Sequence, residues 1–396
     1  MFPVQKEWDV IIAGGGVMGS AAAWWLMGAE PSLRLAVVEP DPTYARSATA
    51  LSVASVRSQF SNPVNVEISR FGVAFIRDFG ARLGPEGGVP SLGLKENGYL
   101  FLTGSEAGAG LMEELAAMQR GLGAATEVLS PAELARRFPW MNTGDVTAGS
   151  FGPRDEGWFD NMGLLGGFRN AAKARGAVYL TDRVAALRRD GRRILGVTFA
   201  SGTELDAPKV LLAAGTGVTP LLHSVDEDWP VEPRKRTVFV VDAPEARHPE
   251  APLVIDHQGV YFRPEHDQWI AATVPEDDGP CSPDDWEPDH AQFEDLIWPR
   301  LYNRAKGFGA TKVKRLWVGH YDYNRLDQNA ILGAHPSFEG LYVASGFSGH
   351  GLQQAPAVGR GLAEVMLTGR WQTIDLTPLG VGRVLRDEPF RETAIV

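Results

Sequence analysis

Two short apolar segments near the beginning of the chain are separated by a glycine-rich turn and a helix. Residues 10–13 (VIIA) are continuously apolar and rich in β-branched side chains, which predicts a buried strand. Residues 20–27 are rich in Ala and apolar on every side, which predicts a buried helix. Residues 33–38 predict a second strand. The order strand, turn, helix, strand is typical of a βαβ unit with parallel strands.

The same style of pattern returns in the middle and near the end of the chain. It predicts helices at 162–175 and 353–367, a ribbon at 184–187 and 194–199, and strands at 177–180, 209–215 and 341–344. The strand at 209–215 ends in a small-residue turn at Ala214 and Gly215, where small residues let the backbone approach a nucleotide. The pattern therefore predicts one α/β unit that is interrupted twice.

The interrupting segments have a different pattern. Residues 64–83 are helical in period, and 86–147 are interpreted as an insertion with a strand at 98–102 and an amphipathic helix at 106–122. Residues 221–325 are strand-rich and more polar, which predicts an antiparallel sheet, and the acidic run 276–289 within them predicts a solvated loop. We predict an α/β (α+β) protein with a discontinuous nucleotide-binding domain (1–85, 148–220 and 326–396) and a second domain (86–147 and 221–325).

The turn after the first strand carries the sharpest local signal. Gly14, Gly16 and Gly19 have GxGxxG spacing, and Glu39 follows 20 residues after Gly19. The first glycine permits a tight turn, the second lets a pyrophosphate approach the backbone, and the third lets the helix pack on the strand. The helix N-terminus favours phosphate, and an acid at position 39 can accept ribose hydroxyls. This pattern predicts an FAD or NAD site; a glycine-rich turn without a ligand is the alternative.

Composition excludes several other functions. The 396 residues carry a formal net charge of −11, so no basic footprint for nucleic acid is visible. A single cysteine, Cys281, excludes an intrachain disulfide, an iron–sulfur cluster and a cysteine-rich zinc site, and we predict no metal site. No apolar run approaches a membrane span, and a strand begins at once without a signal or transit pattern. We expect a cytoplasmic protein.

Motifs spread along the chain resemble the D-amino acid oxidase superfamily of FAD-dependent amine oxidoreductases, which includes sarcosine oxidase, dimethylglycine dehydrogenase and glycine oxidase. The matching segments are GGGVMGS (14–20), VVEPD (37–41), LLAAG (211–215) and GFSGHG (346–351). Further segments, including VEPRKR, GVYFRP and GHYDYNRLDQNAILG, resemble a subgroup linked to assembly of mitochondrial respiratory complex I. The resemblance covers nearly the whole chain.

The resemblance implies a Rossmann-like FAD domain and an antiparallel sheet that covers the flavin, with FAD held noncovalently. The glycine loop at 346–351 would lie along the flavin, where backbone amides stabilise negative charge. The predicted cofactor-binding residues are Gly14, Gly15, Gly16, Val17, Met18, Gly19, Glu39, Pro40, Ser47, Ala48, Val53, Ala54, Arg57, Gln59, Val184, Ala214, Gly215, Gly346, Phe347, Ser348, Gly349, His350, Gly351, Leu352 and Gln353.

The implied reaction transfers a hydride from the carbon next to an amine nitrogen of an amino acid or N-substituted amino acid to the flavin. His350 matches an active-site histidine, or it orients its loop. Tyr261 matches a tyrosine over the substrate, or it packs. Arg263 is a candidate carboxylate clamp, or it forms an ion pair. His320 begins a segment that faces the flavin and is a possible covalent tether.

The chain departs from sarcosine oxidases at several positions. The residues that hold the substrate carboxylate there correspond to Phe60 and Gln353, and the strand 269–273 has no lysine to promote reaction with oxygen. The resemblance therefore favours a dehydrogenase or a slow oxidase; the electron acceptor, whether oxygen, a quinone or an electron-transfer protein, stays open. Two alternatives remain: a flavoprotein that mainly binds a partner as an assembly factor, and a NAD-dependent dehydrogenase.

Overall fold

The computed structural model describes residues 6–393. Its helices are α1 (Val17–Ala29), α2 (Pro63–Arg77), α3 (Phe79–Leu83), α4 (Glu106–Gly121), α5 (Pro131–Arg137), α6 (Asn161–Ala174), α7 (Val218–His223), α8 (Trp298–Arg304), α9 (Gly351–Thr368) and α10 (Val381–Leu385). Its strands are β1 (Val10–Ala13), β2 (Leu35–Glu39), β3 (Ser55–Val56), β4 (Tyr99–Thr103), β5 (Glu127–Leu129), β6 (Ala148–Gly152), β7 (Gly157–Trp158), β8 (Val178–Thr181), β9 (Val184–Asp190), β10 (Arg193–Phe199), β11 (Glu204–Asp206), β12 (Lys209–Leu212), β13 (Val231–Asp242), β14 (Leu253–Ile255), β15 (Val260–Glu265), β16 (Gln268–Thr273), β17 (Lys312–Asn324), β18 (Ile331–Ala334) and β19 (Leu341–Ser345).

A six-stranded sheet in the order β18-β19-β12-β1-β2-β8 forms the first half of the molecule. The strands from β19 to β8 are parallel, and β18 is an antiparallel edge. Helices α1 and α9 pack closely against each other on one face of the sheet. A Cβ added to Gly359 on α9 would lie only 2.8 Å from the Cβ of Ala21 on α1. The strand order places β1 between β12 and β2, which is the switch point where doubly wound sheets bind ligands.

An eight-stranded sheet in the order β17-β13-β16-β15-β14-β4-β6-β5 forms the second half. It is antiparallel, as predicted, except for the parallel pair β14 and β4. The segment 86–147 supplies β4 and β5, so the two interrupting segments join one sheet. Strand β6 also belongs to this sheet, although residues 148–152 lie inside the range assigned to the nucleotide-binding domain; a boundary after residue 152 agrees better with the strand pairing.

The two faces of the eight-stranded sheet have different environments. One apolar cluster, which includes Phe239, Phe262, Trp269 and Phe308, packs with α5 and α8. A second cluster on the sheet includes Tyr99, Val238 and Tyr261, and these three side chains also line the cavity described below. Alternating side chains of a strand point to opposite faces, so this sheet supplies both a core and a cavity wall.

Two sequence expectations need correction. The helical pattern at 64–83 forms two helices that break at Asp78, and the second packs closely on the next segment, since a Cβ on Gly80 would overlap the carbonyl of Pro90. The acidic run 276–289 is less solvated than predicted, because Asp278 pairs with Arg234 and Arg236 and Asp285 pairs with Lys235. Among residues 6–393, no helix is both long and apolar enough to cross a membrane.

Candidate active site

A cavity of about 820 Å³ lies between the carboxyl ends of the parallel strands and one face of the eight-stranded sheet. Such a volume suits a cofactor together with a small substrate. The predicted residues in its wall are Gly14, Gly16, Val17, Met18, Glu39, Pro40, Ser47, Ala48, Val53, Arg57, Val184, Ala214, Gly215, Tyr261, His320, Phe347, Ser348, Gly349, His350, Gly351, Leu352 and Gln353. Those outside the wall are Gly15, Gly19, Ala54, Gln59, Arg263 and Gly346.

The nucleotide end is built by the turn after β1. Gly14 has φ +104°, and a side chain there would overlap the carbonyl of Ala213. Gly16 is different, since its added Cβ would meet only the Thr49 hydroxyl, at 3.5 Å, beside the cavity. The Glu39 carboxylate accepts a hydrogen bond of 2.8 Å from the Gly15 amide. Burial raises the pKa of Glu39. The turn therefore presents backbone atoms, and Glu39 presents a carboxylate, at the positions where a dinucleotide needs partners for its pyrophosphate and ribose.

Two helices begin at this cavity, and neither is capped by the side chain of its own N-cap residue. Helix α1 starts after Gly16 and has no acidic residue in its first turn, although the Thr49 hydroxyl accepts a hydrogen bond of 3.2 Å from the first amide of the helix, that of Val17. Helix α9 starts after His350 and also lacks a side-chain cap and an acidic first turn. An uncapped N-terminus presents free amides and the positive end of the helix dipole. The cavity therefore offers two regions that favour negative charge, one at each glycine-rich loop.

The loop before α9 is held by a buried carboxyl group that the sequence analysis missed. Asp322 accepts a hydrogen bond of 3.2 Å from the Phe347 amide, and its own carbonyl accepts one of 3.1 Å from Ser348. Burial raises the pKa of Asp322 to about 6. Ser348 has φ +51°, and Gly349 packs against the Tyr321 ring, where a Cβ would lie 2.8 Å away. The loop is thus fixed in a conformation that exposes its backbone to the cavity.

Arg57 and His350 meet at the cavity wall. Their Nη2 and Nε2 atoms are 3.2 Å apart, and the Arg57 guanidinium lies 4.0 Å from the centre of the Phe60 ring. Burial, and then the charge of Arg57, lower the pKa of His350 to about 3. The Gln353 side chain accepts a hydrogen bond of 2.7 Å from the Arg57 amide. Phe60 and Gln353 therefore position Arg57.

Three tyrosines line the cavity beside this pair. Tyr99 and Tyr261 are buried, and burial raises the pKa of Tyr99 to about 12 and that of Tyr261 well above its usual value. The hydroxyl groups of Tyr261 and Tyr321 are hydrogen bonded. The phenols of Tyr99 and Tyr261 therefore stay protonated and can donate or accept hydrogen bonds at the cavity wall.

Two predicted functional residues turn away from the cavity. The Arg263 guanidinium binds the Glu265 carboxylate and the carbonyl oxygens of Pro264 and Val53, so the predicted carboxylate clamp is an ion pair within the protein. The Gln59 amide donates to Glu156 and accepts from Ser150, so its side chain is engaged within the protein and does not line the cavity. Both residues lie in extended segments, where side chains alternate between faces and neighbouring strands decide which face is covered.

Gly15, Gly19, Ala54 and Gly346 act from behind the wall. The Gly15 amide positions Glu39, and a side chain at Gly19 would overlap the carbonyl of Gly14. Gly346 packs against the Cβ of Asn324. These residues shape the backbone of the site. They contact neighbouring parts of the chain and do not line the cavity themselves.

His320 lies in the cavity wall but is engaged on both sides. Its ring stacks on Trp286 with 4.1 Å between centroids, and Nε2 lies 2.7 Å from the Asp285 carbonyl oxygen. Trp286 belongs to the acidic loop, and the Arg46 guanidinium lies 5.1 Å from the centre of its ring. The acidic loop therefore closes part of the cavity, which its composition alone did not indicate.

Arg236 is a further wall residue that the sequence analysis missed. It lies on β13, two residues before Val238 on the same alternating face. The strand has three consecutive charges, Arg234 to Arg236, followed by an apolar block rather than an alternating pattern, so only sheet pairing shows which face meets the cavity. Within residues 6–393, no group of three His, Cys, Asp or Glu side chains is arranged to hold a metal ion.

The fold and cavity define a class of protein: an oxidoreductase that binds an extended dinucleotide below an antiparallel sheet. The uncapped helices, the open approach at Gly16 and the carboxylate of Glu39 fit FAD. Residues 9–365 match the DAO family of FAD-dependent oxidoreductases, so the chain belongs to that family and FAD is its cofactor. The predicted resemblance and fold class are confirmed.

Individual relatives agree with this assignment. FAD-dependent oxidoreductase domain-containing protein 1 of Xenopus laevis is 38% identical over 426 residues, which cover 98% of this chain and 85% of that protein. Monomeric sarcosine oxidase of a Bacillus species is 24% identical, covering 99% of this chain and 100% of that protein. The structure of L-proline dehydrogenase from P. horikoshii shares the fold with a TM-score of 0.85 at 23% identity, covering 98% and 100% of the two chains.

Proposed function

We propose that this FAD-dependent oxidoreductase oxidises the C–N bond of an amino acid or an N-substituted amino acid. The carbon next to nitrogen loses a hydride, the nitrogen loses a proton, and the resulting imine is hydrolysed by water to a carbonyl compound and an amine. FAD, when bound, supplies the acceptor for the hydride and its two electrons. The relatives named for sarcosine and L-proline support an amino-acid substrate.

One observation carries the proposal: a guanidinium is held at the cavity wall next to the glycine loop. Arg57 is buried among aromatic rings, with Phe60 at 4.0 Å and Phe101 at 5.3 Å from its guanidinium carbon. Its Nη1 donates to the Gln59 carbonyl oxygen and its Nη2 lies 3.2 Å from Nε2 of His350, so the guanidinium attracts a substrate carboxylate through its positive charge rather than through two vacant donors. In this proposal Arg57 anchors the substrate carboxylate and so aims the adjacent C–H bond.

The surroundings of Arg57 also suit a neutral amine. The oxidised nitrogen must have a free lone pair, and an ammonium group does not. Burial in a cavity disfavours the charged form of an amine and lowers its pKa. The protonated hydroxyl groups of Tyr99 and Tyr261 can accept hydrogen bonds, and neither they nor neutral His350 add a negative charge that would favour an ammonium ion. The cavity thus binds the carboxylate as an anion and the amine as a base.

We also propose an electron acceptor other than oxygen. Strand β16 (Gln268–Thr273) has the sequence QWIAAT and so lacks the lysine that the sequence analysis associated with oxygen reactivity. After anaerobic reduction by substrate, reoxidation by air should be slow compared with reoxidation by an artificial quinone. Equally fast reoxidation by air would contradict this part of the proposal.

The experiment is an anaerobic screen of the FAD-loaded protein with matched pairs of amines. Sarcosine and L-proline are paired with dimethylamine and pyrrolidine, which have the same nitrogen but no carboxylate. We expect the visible flavin absorbance to fall with the amino acids and not with their partners. If dithionite bleaches the flavin and no amino acid does, the proposal is wrong, and a partner-binding flavoprotein becomes the better account.

A further inference from the structure

A second guanidinium faces the same cavity, and the reaction proposed above does not use it. Arg236 contributes to the cavity wall although only 5% of its side chain is exposed. Its Nη1 and Nη2 atoms bind the two carboxylate oxygens of Asp278 at 2.5 and 3.0 Å, and Nη1 also donates to the Lys235 carbonyl oxygen at 3.0 Å. Asp278 therefore occupies the two terminal nitrogens of the Arg236 guanidinium, Nη1 and Nη2.

The other edge of this guanidinium has an unused donor. The Nε atom of Arg236 is buried and has no hydrogen-bond partner among residues 6–393. A buried donor without a partner costs about 1–3 kcal/mol in a typical protein, so such groups call for an explanation. An arginine can bind one carboxylate with its Nη pair and a second through its Nε edge, because its five N–H groups point in fixed directions.

Tyrosines connect the two guanidinium groups across the sheet. The Arg57 guanidinium lies 5.7 Å from the centre of the Tyr99 ring, and that of Arg236 lies 5.0 Å from the centre of the Tyr321 ring. Tyr321 binds Tyr261 through its hydroxyl and is close enough to Tyr99 to affect its pKa. Strands β13 and β4, which carry Arg236 and Tyr99, are four strands apart in the sheet. The rings of Tyr99, Tyr261 and Tyr321 thus form one aromatic wall, which Arg57 meets at Tyr99 and Arg236 meets at Tyr321.

We propose that Arg236 forms a second anion subsite, and that the substrate is an amino acid or N-substituted amino acid with a second carboxylate. This inference rests on the proposed function, in which Arg57 binds the first carboxylate. The aromatic wall between the two cations holds the apolar part of the substrate. A ligand with one carboxylate leaves the Nε edge of Arg236 unused, whereas a dicarboxylate satisfies it.

A purely structural role for Arg236 predicts a different result. Arg234, Lys235 and Arg236 hold the acidic loop 276–289 through Asp278 and Asp285, so Arg236 could serve only to anchor that loop. In that case, removal of Arg236 and removal of its partner Asp278 break the same contact and have the same consequence. As an anion subsite, Arg236 instead gains affinity when the competing carboxylate of Asp278 is removed. The two substitutions then have opposite effects.

The test uses the FAD-loaded protein and ligands that cannot be oxidised at an amine. Propionate, succinate and glutarate are titrated, and binding is followed by the change in the flavin absorbance spectrum. We expect the better dicarboxylate to bind more tightly than propionate. Arg236→Gln should reduce this preference about 10- to 100-fold, as for loss of a charge-assisted hydrogen bond, and Arg236→Lys should restore part of it. Asp278→Asn should increase it.

Asp277→Asn is the matched control, because it removes an exposed carboxylate one residue away. It should leave the preference for dicarboxylates as it is. Equal loss of the preference in Arg236→Gln and Asp278→Asn, or no preference in the parent protein, overturns the subsite. If Arg236→Gln fails to retain FAD, the opposite change in Asp278→Asn decides alone. A selective dicarboxylate site in a protein that oxidises no amine would contradict the proposed function and leave the subsite standing.

Discussion

The Nη2 atom of Arg57 lies 3.2 Å from Nε2 of His350, although the two residues are 293 positions apart in the chain. A guanidinium only donates hydrogen bonds, so Nε2 accepts and the proton of the neutral ring is on Nδ1. This contact joins the loop before α2 to the loop before α9 across the cavity. It places the positively charged guanidinium of Arg57, the proposed carboxylate anchor, beside the uncharged imidazole of His350.

His350 should make the protein less stable in acid. The pKa of His350 is lowered to about 3 in the folded protein, so between pH 6.5 and 3 the unfolded chain binds a proton that the folded protein does not. Stability from this group is therefore lost as the pH falls through that window. His350→Gln should weaken the loss of stability, measured by urea unfolding, between pH 7 and pH 5. Equal pH dependence in both proteins would show that the pKa of His350 is the same in the folded protein as in the unfolded chain.

Glu156 should have the opposite effect. It accepts hydrogen bonds from Ser58 and Gln59, and burial raises its pKa to about 7. The folded protein therefore keeps a proton that the unfolded chain loses between pH 4.5 and 7, and stability falls as the pH rises through this range. Glu156→Gln should reduce that fall in urea unfolding at pH 5, 6, 7 and 8. Glu114→Gln, at an exposed position on α4, should not.

Substitution of Arg57 should change substrate binding, whereas substitution of Arg263 should change the stability of the fold. Arg57→Met removes the proposed carboxylate anchor and should raise KM for an amino-acid substrate at least tenfold, with FAD retained. Arg263→Met removes a buried ion pair outside the cavity and should cost about 1–3 kcal/mol of stability with little change in KM. Steady-state kinetics and thermal unfolding measure the two effects. A larger change of KM in Arg263→Met than in Arg57→Met would identify Arg263 as the carboxylate clamp.

Gly14 and Gly16 should fail in different ways when changed to alanine. At Gly14 the positive φ and the overlap with Ala213 should cost about 2–4 kcal/mol of stability. Gly16→Ala fits the fold, but its methyl group faces the cavity, so FAD should bind about tenfold more weakly or worse. Gly166→Ala on α6, where nothing lies within 4 Å, is the control. Unchanged FAD affinity in Gly16→Ala would contradict the phosphate position.

FAD should be released when the protein is denatured. His320, the candidate tether, has its Nε2 at the Asp285 carbonyl and one ring face on Trp286. We therefore expect acid precipitation to leave the flavin colour in the supernatant. His320→Ala should then change FAD affinity without changing how FAD is released. Colour in the pellet of the parent protein, lost in His320→Ala, would demonstrate a covalent bond.

The nucleotide end of the site could be predicted because its signals are local. The glycines at 14, 16 and 19 and the acid at 39 belong to one βαβ unit, so their spacing along the chain fixes their relative positions in the fold. The glycine loop at 346–351 was predictable in the same way. The substrate end was not, and Arg263 shows the reason: it has the chemistry of a clamp, but Glu265 and Val53 occupy its guanidinium.

The sequence by itself determined the fold class, the dinucleotide fingerprint and the two glycine loops, because hydrophobic period and turn chemistry act over a few residues. Only the tertiary structure decided that Arg57 and Arg236 line the cavity while Arg263 and Gln59 do not. Their positions depend on strand pairing and on partners far along the chain, such as Asp278 for Arg236 and His350 for Arg57. A one-residue change of register exchanges the two faces of a strand, so no local pattern specifies which charge meets the ligand.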